Sequence, residues 1–426
     1  MMHHVLYASP WMVSRQVVIP RGFSWLSIAR SLASKISTSS QASPFSYTST
    51  VDAEPLFRYQ KGGYHPINLG DLLKNGRYKI LHKLGWGGYS TVWAARDQKS
   101  EAYVSVKVCI SEGEKDAGNN EIQVLNEMAS IQPNPQHVVR LFDDFRLEGP
   151  NGMHQCLVSE ILGPSVSDII DIHFPDGRLP GALAKNIAKQ ALHGIQTLHQ
   201  RQIGHGDLHT RNLAFTIPCM DSLSESEFIN LLGAPEIGHV QRSDERVQEP
   251  GIPEYIVRPA SFQRHFWSSS YHIKIIDFGE SFLPTIIPHT LHTPLPVRAP
   301  EVIFEDCLDY RVDLWRLGCM VGQPPFDSFM VTPAILVGQM QEMASDTLPT
   351  RWHGKWKKMD NGRTAETPGP ALQEWLEEMY FDGERKEDLT REDVSKLGRI
   401  LGRLLRFEPY SRASAREILD DPWFKG

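Results

Sequence analysis

Cysteine is scarce in this chain and unpaired in its spacing. Five are present among 426 residues, at Cys109, Cys156, Cys219, Cys307 and Cys319, with no CxxC pair. That argues against a disulfide-built fold or a structural zinc site and fits a reduced intracellular protein. No apolar run approaches the roughly 18 residues of a membrane helix, so no span is expected. An excess of positive charge is missing too. The formal net charge is −7, which argues against general nucleic-acid binding, since that requires a basic surface. There is no internal repeat. What remains is ordinary for a globular chain: 41% hydrophobic and 22% charged residues, with 10 Trp and 18 Phe. This suffices for one large core or two lobes plus a tail.

The first 51 residues lack acid altogether. They hold Arg15, Arg21, Arg30 and Lys35 but no Asp or Glu, and Ser and Thr crowd positions 31–50. The tail therefore carries +4, leaving −11 of the total −7 for the rest. An Arg-bearing, Ser-rich, acid-free leader has the composition of a mitochondrial transit peptide, or of a plain disordered leader. It is set aside from the fold, and residues 52–77 are read as an N-terminal extension.

Order begins at Tyr78. The run "YKILHKLGWGGYSTVW" places two strand-like stretches around a glycine turn, a hairpin pattern. A third strand follows over Ala102–Ile110, and then Glu121, Ile122, Leu125, Met128 and Ala129 recur at helical spacing. Two further strands meet at the turn Gly149-Pro-Asn-Gly152. After Pro180 the pattern turns helical, with Ala184, Ile187, Ala191, Ile195 and Leu198 as an apolar stripe. Residues 218–270, rich in Ser, Pro, Gly and Glu, read as an insertion outside the core. From Asp309 onward helices dominate, with Leu397, Ile400, Leu401 and Leu404 on one face. A β-rich lobe over 78–162 followed by a mainly α lobe over 163–426 gives an α+β, bilobal reading.

Several residues in this order carry chemistry. The glycine turn Gly85, Gly87, Gly88 could let the backbone fold closely over phosphates. Lys107 stands among Val104, Val106 and Val108, where a charge needs a partner. Glu121 on the next helix can supply it. "IGHGDLHTRNL" sets Asp207 five residues before Asn212, a spacing that suits a loop with one residue for a hydroxyl and one for a metal. Asp277, ending an apolar strand beside Phe278-Gly279, offers a second oxygen ligand to Mg²⁺, a hard cation.

Lys107, Glu121, "HGDLHTRN", "DFG", "RAPE" (Arg298 to Glu301) and "DLW" together resemble the eukaryotic protein kinases over residues 55–425. "YHPINLGDLLKNGRYKILHKLGWGGYSTVW" is similar to the opening of the SR-protein kinase group, particularly its fungal members. That group also carries a spacer between catalytic loop and DFG, and 64 residues separate Asn212 from Asp277 here. The resemblance implies an ATP- and Mg²⁺-dependent Ser/Thr protein kinase acting on Arg/Ser-rich proteins. It implies no direct nucleic-acid partner, a monomer, and cytoplasmic or nuclear residence. The tail instead points to mitochondria.

By the same resemblance, Asp207 accepts the substrate hydroxyl's proton. Asn212 and Asp277 hold the metal, and Lys107, fixed by Glu121, touches the α- and β-phosphates. Leu84, Gly85, Gly87, Gly88, Val92, Ser105, Ser159, Glu160 and Leu162 line the nucleotide, with Ser159 guarding the back of the adenine pocket. Glu301 pairs with Arg412, near Arg298, and Asp313 holds the catalytic-loop backbone.

Three departures from the family stand out. Gly206 replaces the arginine before the catalytic aspartate, so activity need not await a phosphorylated activation loop. His209 replaces the lysine two residues after Asp207, which predicts slower chemistry. "DLWRLGCMVGQPPF" lacks about five residues of the usual helix. "HGDLH…N" is also typical of aminoglycoside- and choline-type kinases. A small-molecule kinase and a catalytically dead scaffold therefore stay open beside the protein-kinase reading.

Overall fold

The computed structural model describes residues 47–111, 117–217, 220–243, 246–262, 268, 272–320, 325–326, 331–360 and 371–425. The leader up to residue 46 lies outside them, as does the stretch immediately after Met320.

Strands β1 (Tyr47–Thr48), β2 (Leu72–Leu73), β3 (Tyr78–Gly87), β4 (Ser90–Asp97) and β5 (Ala102–Cys109) precede helix α1 (Ala117–Ala129), then β6 (Leu141–Gly149) and β7 (Gly152–Glu160). All but β1 form one sheet in the order β2-β3-β4-β5-β7-β6. Its inner face buries Ile80, Trp93, Val104, Val106 and Val158. Alternation along β5 sends Val104, Val106 and Val108 into this core and leaves Ser105 and Lys107 on the opposite face. Lys107 lies level with Val92 on one side and Leu157 on the other, and Ser105 lies opposite Ser159. The placement of Lys107 follows from the two-residue period alone.

The second lobe opens with α2 (Val166–His173), whose Ser165 accepts from the Asp168 N–H in a capping box. The long helix α3 (Gly181–His199) follows Pro180 and buries Ile187, Ala191, Ile195 and Leu198 of the stripe read from the sequence, with Ala184 only half-buried. Strands β8 (Leu213–Phe215) and β12 (Ile273–Ile275) pair antiparallel, bringing the stretch after Asn212 beside the stretch before Asp277. Thr390 caps the helix Arg391–Leu404 with Asp393 in a second capping box, and that helix buries Ile400, Leu401 and Leu404.

Two expectations are corrected. Residues 47–51 belong to the fold, because β1 pairs with β10 (Gln241–Arg242) and Tyr47 and Val51 are buried. The spacer read as lying outside the core builds core of its own. Its helix α4 (Glu225–Leu232) is capped by Ser224, and it buries Phe228 and Leu232 against the first lobe. Phe228 stacks on Tyr103 with ring centres 3.8 Å apart. Lys79 pairs with Glu225 at 2.8 Å, and the Ala260 N–H donates to Lys83 O at 2.8 Å. Strands β9 (Ile237–His239) and β11 (Tyr255–Val257) form a small ribbon. Polar composition concealed these few large apolar anchors.

The N-terminal extension packs on the same lobe. Glu54 meets Lys83 where both side chains are fully buried, and Tyr59 donates to Glu54 as well. Tyr64 Oη donates to Gly87 O at 2.7 Å and the Arg58 guanidinium to Gly88 O, so the extension grips the glycine turn. His65 lies edge-on to His154 at 4.9 Å, and His154 Nδ1 donates to Cys109 O at 2.9 Å. Burial, followed by the charge of His154, pushes His65 down to about 4 from its ordinary 6.5. A base whose folded value is depressed favours the neutral form. Stability is then whole above pH 6.5, starts to fall below it, and the loss is complete near pH 4. At pH 5 this amounts to about 2 kcal/mol at most. Hydrogen exchange of residues 47–77 should accelerate between pH 7 and pH 5 after correction for the intrinsic rate, and His65→Phe should flatten that dependence. Equal corrected protection at both values would rule the pair out as the cause.

Candidate active site

The catalytic loop is hung from buried groups. Asp313 opens helix α6 (Val312–Gly318), which follows the short helix α5 (Pro300–Ile303), and is fully buried. Its carboxylate accepts from the His205 N–H at 2.8 Å and the Gly206 N–H at 2.9 Å, and His199 Nε2 stands 3.1 Å away. Burial works to raise the Asp313 pKa. The His199 hydrogen bond and charge, followed by His205, outweigh it and hold the carboxyl below its usual range. His205 Nε2 donates to Ile276 O at 3.0 Å while Nδ1 accepts from the Asp207 N–H at 3.3 Å. One imidazole thus ties the catalytic loop to the strand leading into Asp277.

Gly206 cannot carry the arginine usual at its position. Its φ is +80°, and a Cβ there would stand 2.3 Å from Glu280 O. Gly206→Arg is expected to cost about 2–4 kcal/mol through left-handed strain and a backbone clash. Thermal melting checks this, and a variant melting within a degree of the parent would contradict it.

Asp207 is half-enclosed. Its Oδ1 receives Arg316 Nη2 at 2.7 Å, and its Oδ2 lies 3.4 Å from His209 Nε2. Burial works to raise the Asp207 pKa, but the His209 hydrogen bond and charge, followed by Arg316, hold it below the carboxylate range. Asn212 Nδ2 donates to Asp207 O at 2.8 Å, leaving its amide oxygen as the atom that could face a cation.

Lys107 Nζ reaches both Glu121 oxygens, at 2.7 and 2.9 Å, and Asp277 Oδ1 at 2.8 Å. Burial alone would lower the Lys107 pKa, yet Asp277 and Glu121 drive it well above its ordinary value. In turn the Lys107 ammonium holds Asp277 down to about 2. Asp277 sits at φ +59°, a left-handed turn beside Gly279 that aims the carboxylate back at Lys107. Among the described residues, nothing lies within 4 Å of where a Cβ would stand on Gly85, Gly87 or Gly88, which leaves room for a ligand at the turn. An ammonium held by two carboxylates, a second oxygen ligand and an open glycine cradle suit a metal-bound nucleotide triphosphate.

The remaining expected residues fall as follows. Val92 and Ser105 lie in adjoining strands, and Ser159 faces Ser105 across the sheet. Glu160 Oε1 accepts from Lys274 at 2.6 Å and from the Arg140 N–H at 2.8 Å, and the Glu160 N–H donates to Arg140 O at 3.1 Å. Leu162 packs on the second lobe's core. Leu84 packs with the cluster that holds spacer residues Phe228 and Leu232. Arg298 donates to Thr293 O. Glu301 and Arg412 form a two-pronged pair at 2.6 and 2.6 Å, fully buried. Helix α6 is short, ending at Gly318 against Leu405. Arg316 is the site residue that sequence reasoning missed. One arginine inside "DLWRLG" gives no hint that it turns inward.

The comparisons agree with this geometry. The protein kinase domain family matches residues 78–218. The serine/threonine-protein kinase SRPK of Physarum polycephalum is 29% identical over 395 residues, covering 86% of this chain and 89% of that protein. Human SRSF protein kinase 3 is 38% identical over 164 residues, covering 37% of this chain and 29% of that protein. A crystal structure of a kinase domain matches with a TM-score of 0.58 at 18% identity, covering 85% of this chain and 98% of that one, which shows the fold. Two lobes, the Lys107–Glu121–Asp277 cluster and these relatives make the chain protein-kinase-like, with SR-protein kinases among the proteins it resembles.

Proposed function

We propose that the chain transfers the γ-phosphate of ATP to Ser or Thr hydroxyls, with Arg/Ser-rich proteins as substrates. The observation that carries the reading is the Lys107 ammonium held jointly by Glu121 and Asp277, with Asp207 on the facing loop. Lys107 would take the α- and β-phosphates, and the open turn Gly85–Gly88 would cover them. Asn212 and Asp277 would hold Mg²⁺, which when bound neutralises charge gathering on the transferred group. Asp207, kept ionised, orients the attacking hydroxyl and receives its proton. The backbones of Glu160 and Leu162 would bind adenine.

The Arg/Ser-rich preference rests on the likeness to SR-protein kinases. The −11 carried by residues 52–426 suits basic segments. The test is turnover of ATP–Mg²⁺ by the full chain on an Arg/Ser-repeat peptide, beside Asp207→Ala. Phosphate incorporation should fall by about 10²–10⁴-fold in the variant. A folded parent that binds ATP without turnover would instead indicate a scaffold.

A further inference from the structure

We propose that Arg316 is a positioning residue for phosphoryl transfer: it fixes the Asp207 carboxylate from inside the second lobe and brings a guanidinium to a loop where histidine stands in place of lysine. The proposal rests on the kinase reading above. Arg316 projects from α6, and its side chain is only 3% exposed. Nε donates to Leu208 O at 3.0 Å and Nη2 to Asp207 Oδ1 at 2.7 Å, so one guanidinium holds two consecutive residues of the catalytic loop. Nη1 is buried with no hydrogen-bond partner among the described residues.

The contrast with Arg412 is informative. Arg412 spreads its donors over both Glu301 oxygens and the carbonyls of Arg406 and Arg311, as expected of a structural brace. Among the described residues, Arg316 gives its bonds to the catalytic loop alone and leaves a donor unmet. A buried arginine so incompletely satisfied is a poor source of stability. Its geometry does suit one task. With Oδ1 taken, Asp207 can offer only Oδ2 to a substrate hydroxyl, so the carboxylate cannot rotate away from a productive orientation. The groups facing Asp207 are Arg316 from α6, and His209 and His205 from its own loop. Arg316 is the one whose charge does not depend on pH near neutrality. A cation two residues after Asp207 is thereby replaced by one from a different helix.

The experiment compares steady-state kinetics and melting of the full chain with Arg316→Met, Arg316→Gln and Arg316→Lys, on ATP–Mg²⁺ and an Arg/Ser-repeat peptide. The neutral variants should lose about 10–100-fold in kcat with KM for ATP nearly unchanged, since Arg316 lies away from the Lys107 cluster. Arg316→Lys, which keeps the charge, should recover at least severalfold of that loss. A kcat near the parent value in a folded neutral variant overturns the proposal. So does an equal loss in the lysine variant, or failure of both neutral variants to fold. An inactive parent, by contrast, defeats the kinase reading itself.

Discussion

Replacing Glu301 with alanine is expected to lower the melting temperature by roughly 4–6 °C, corresponding to about 3–5 kcal/mol. The cause lies in what is left behind. Arg412 is fully buried, and without Glu301 its charge is left, among the described residues, with the carbonyls of Arg406 and Arg311 and the Trp315 ring 5.4 Å away. An intact buried pair adds little net stability, because desolvation of both ions offsets their attraction, but removal of one partner exposes the whole penalty. The double substitution Glu301→Leu with Arg412→Met should therefore recover much of the loss. Calorimetry on both variants decides. If Glu301→Ala melts within a degree of the parent, the pair is solvated and this account fails.

Asp277→Asn should abolish useful turnover while leaving the fold intact. Asparagine tolerates the left-handed φ of +59° almost as well as any non-glycine residue, so the turn survives. What goes is the carboxylate that pairs with Lys107 and would hold the metal. Loss of several kcal/mol of charge stabilisation corresponds to about a 10³-fold fall in kcat. ATP binding should persist, because Lys107 keeps Glu121 at 2.7 Å. Single-turnover phosphorylation across a Mg²⁺ titration, beside equilibrium ATP binding, separates the two effects. Turnover within tenfold of the parent would show that Asp277 does not hold the metal.

Much of the site was legible in the sequence because it consists of charged residues that apolar surroundings make conspicuous. Lys107 among valines demanded a partner, and Glu121 stood at the next helix to provide it. The two-residue period of β5 and the helical stripe of α3 are local properties, so the lobes could be placed from them. Arg316 was not legible. Whether an arginine in a helix faces water or the catalytic loop is set by packing between elements far apart in sequence. The spacer failed to read as core for a related reason. Its average composition is polar, and burial there depends on single residues such as Phe228 finding Tyr103 more than a hundred positions away. Leu84 illustrates the same limit, since the cluster it joins is built by that spacer.

The spacer leaves the second lobe after β8, anchors on the first lobe, and returns at β12 to the strand it left. The lobes are thus joined twice, once through the direct connection after β7 and once through this detour. A door on a single pin can swing and wobble, whereas one hung at two points turns only about the line between them. Closure over a nucleotide in this chain is expected to turn about one axis, with less twisting between the lobes than a single connection would allow.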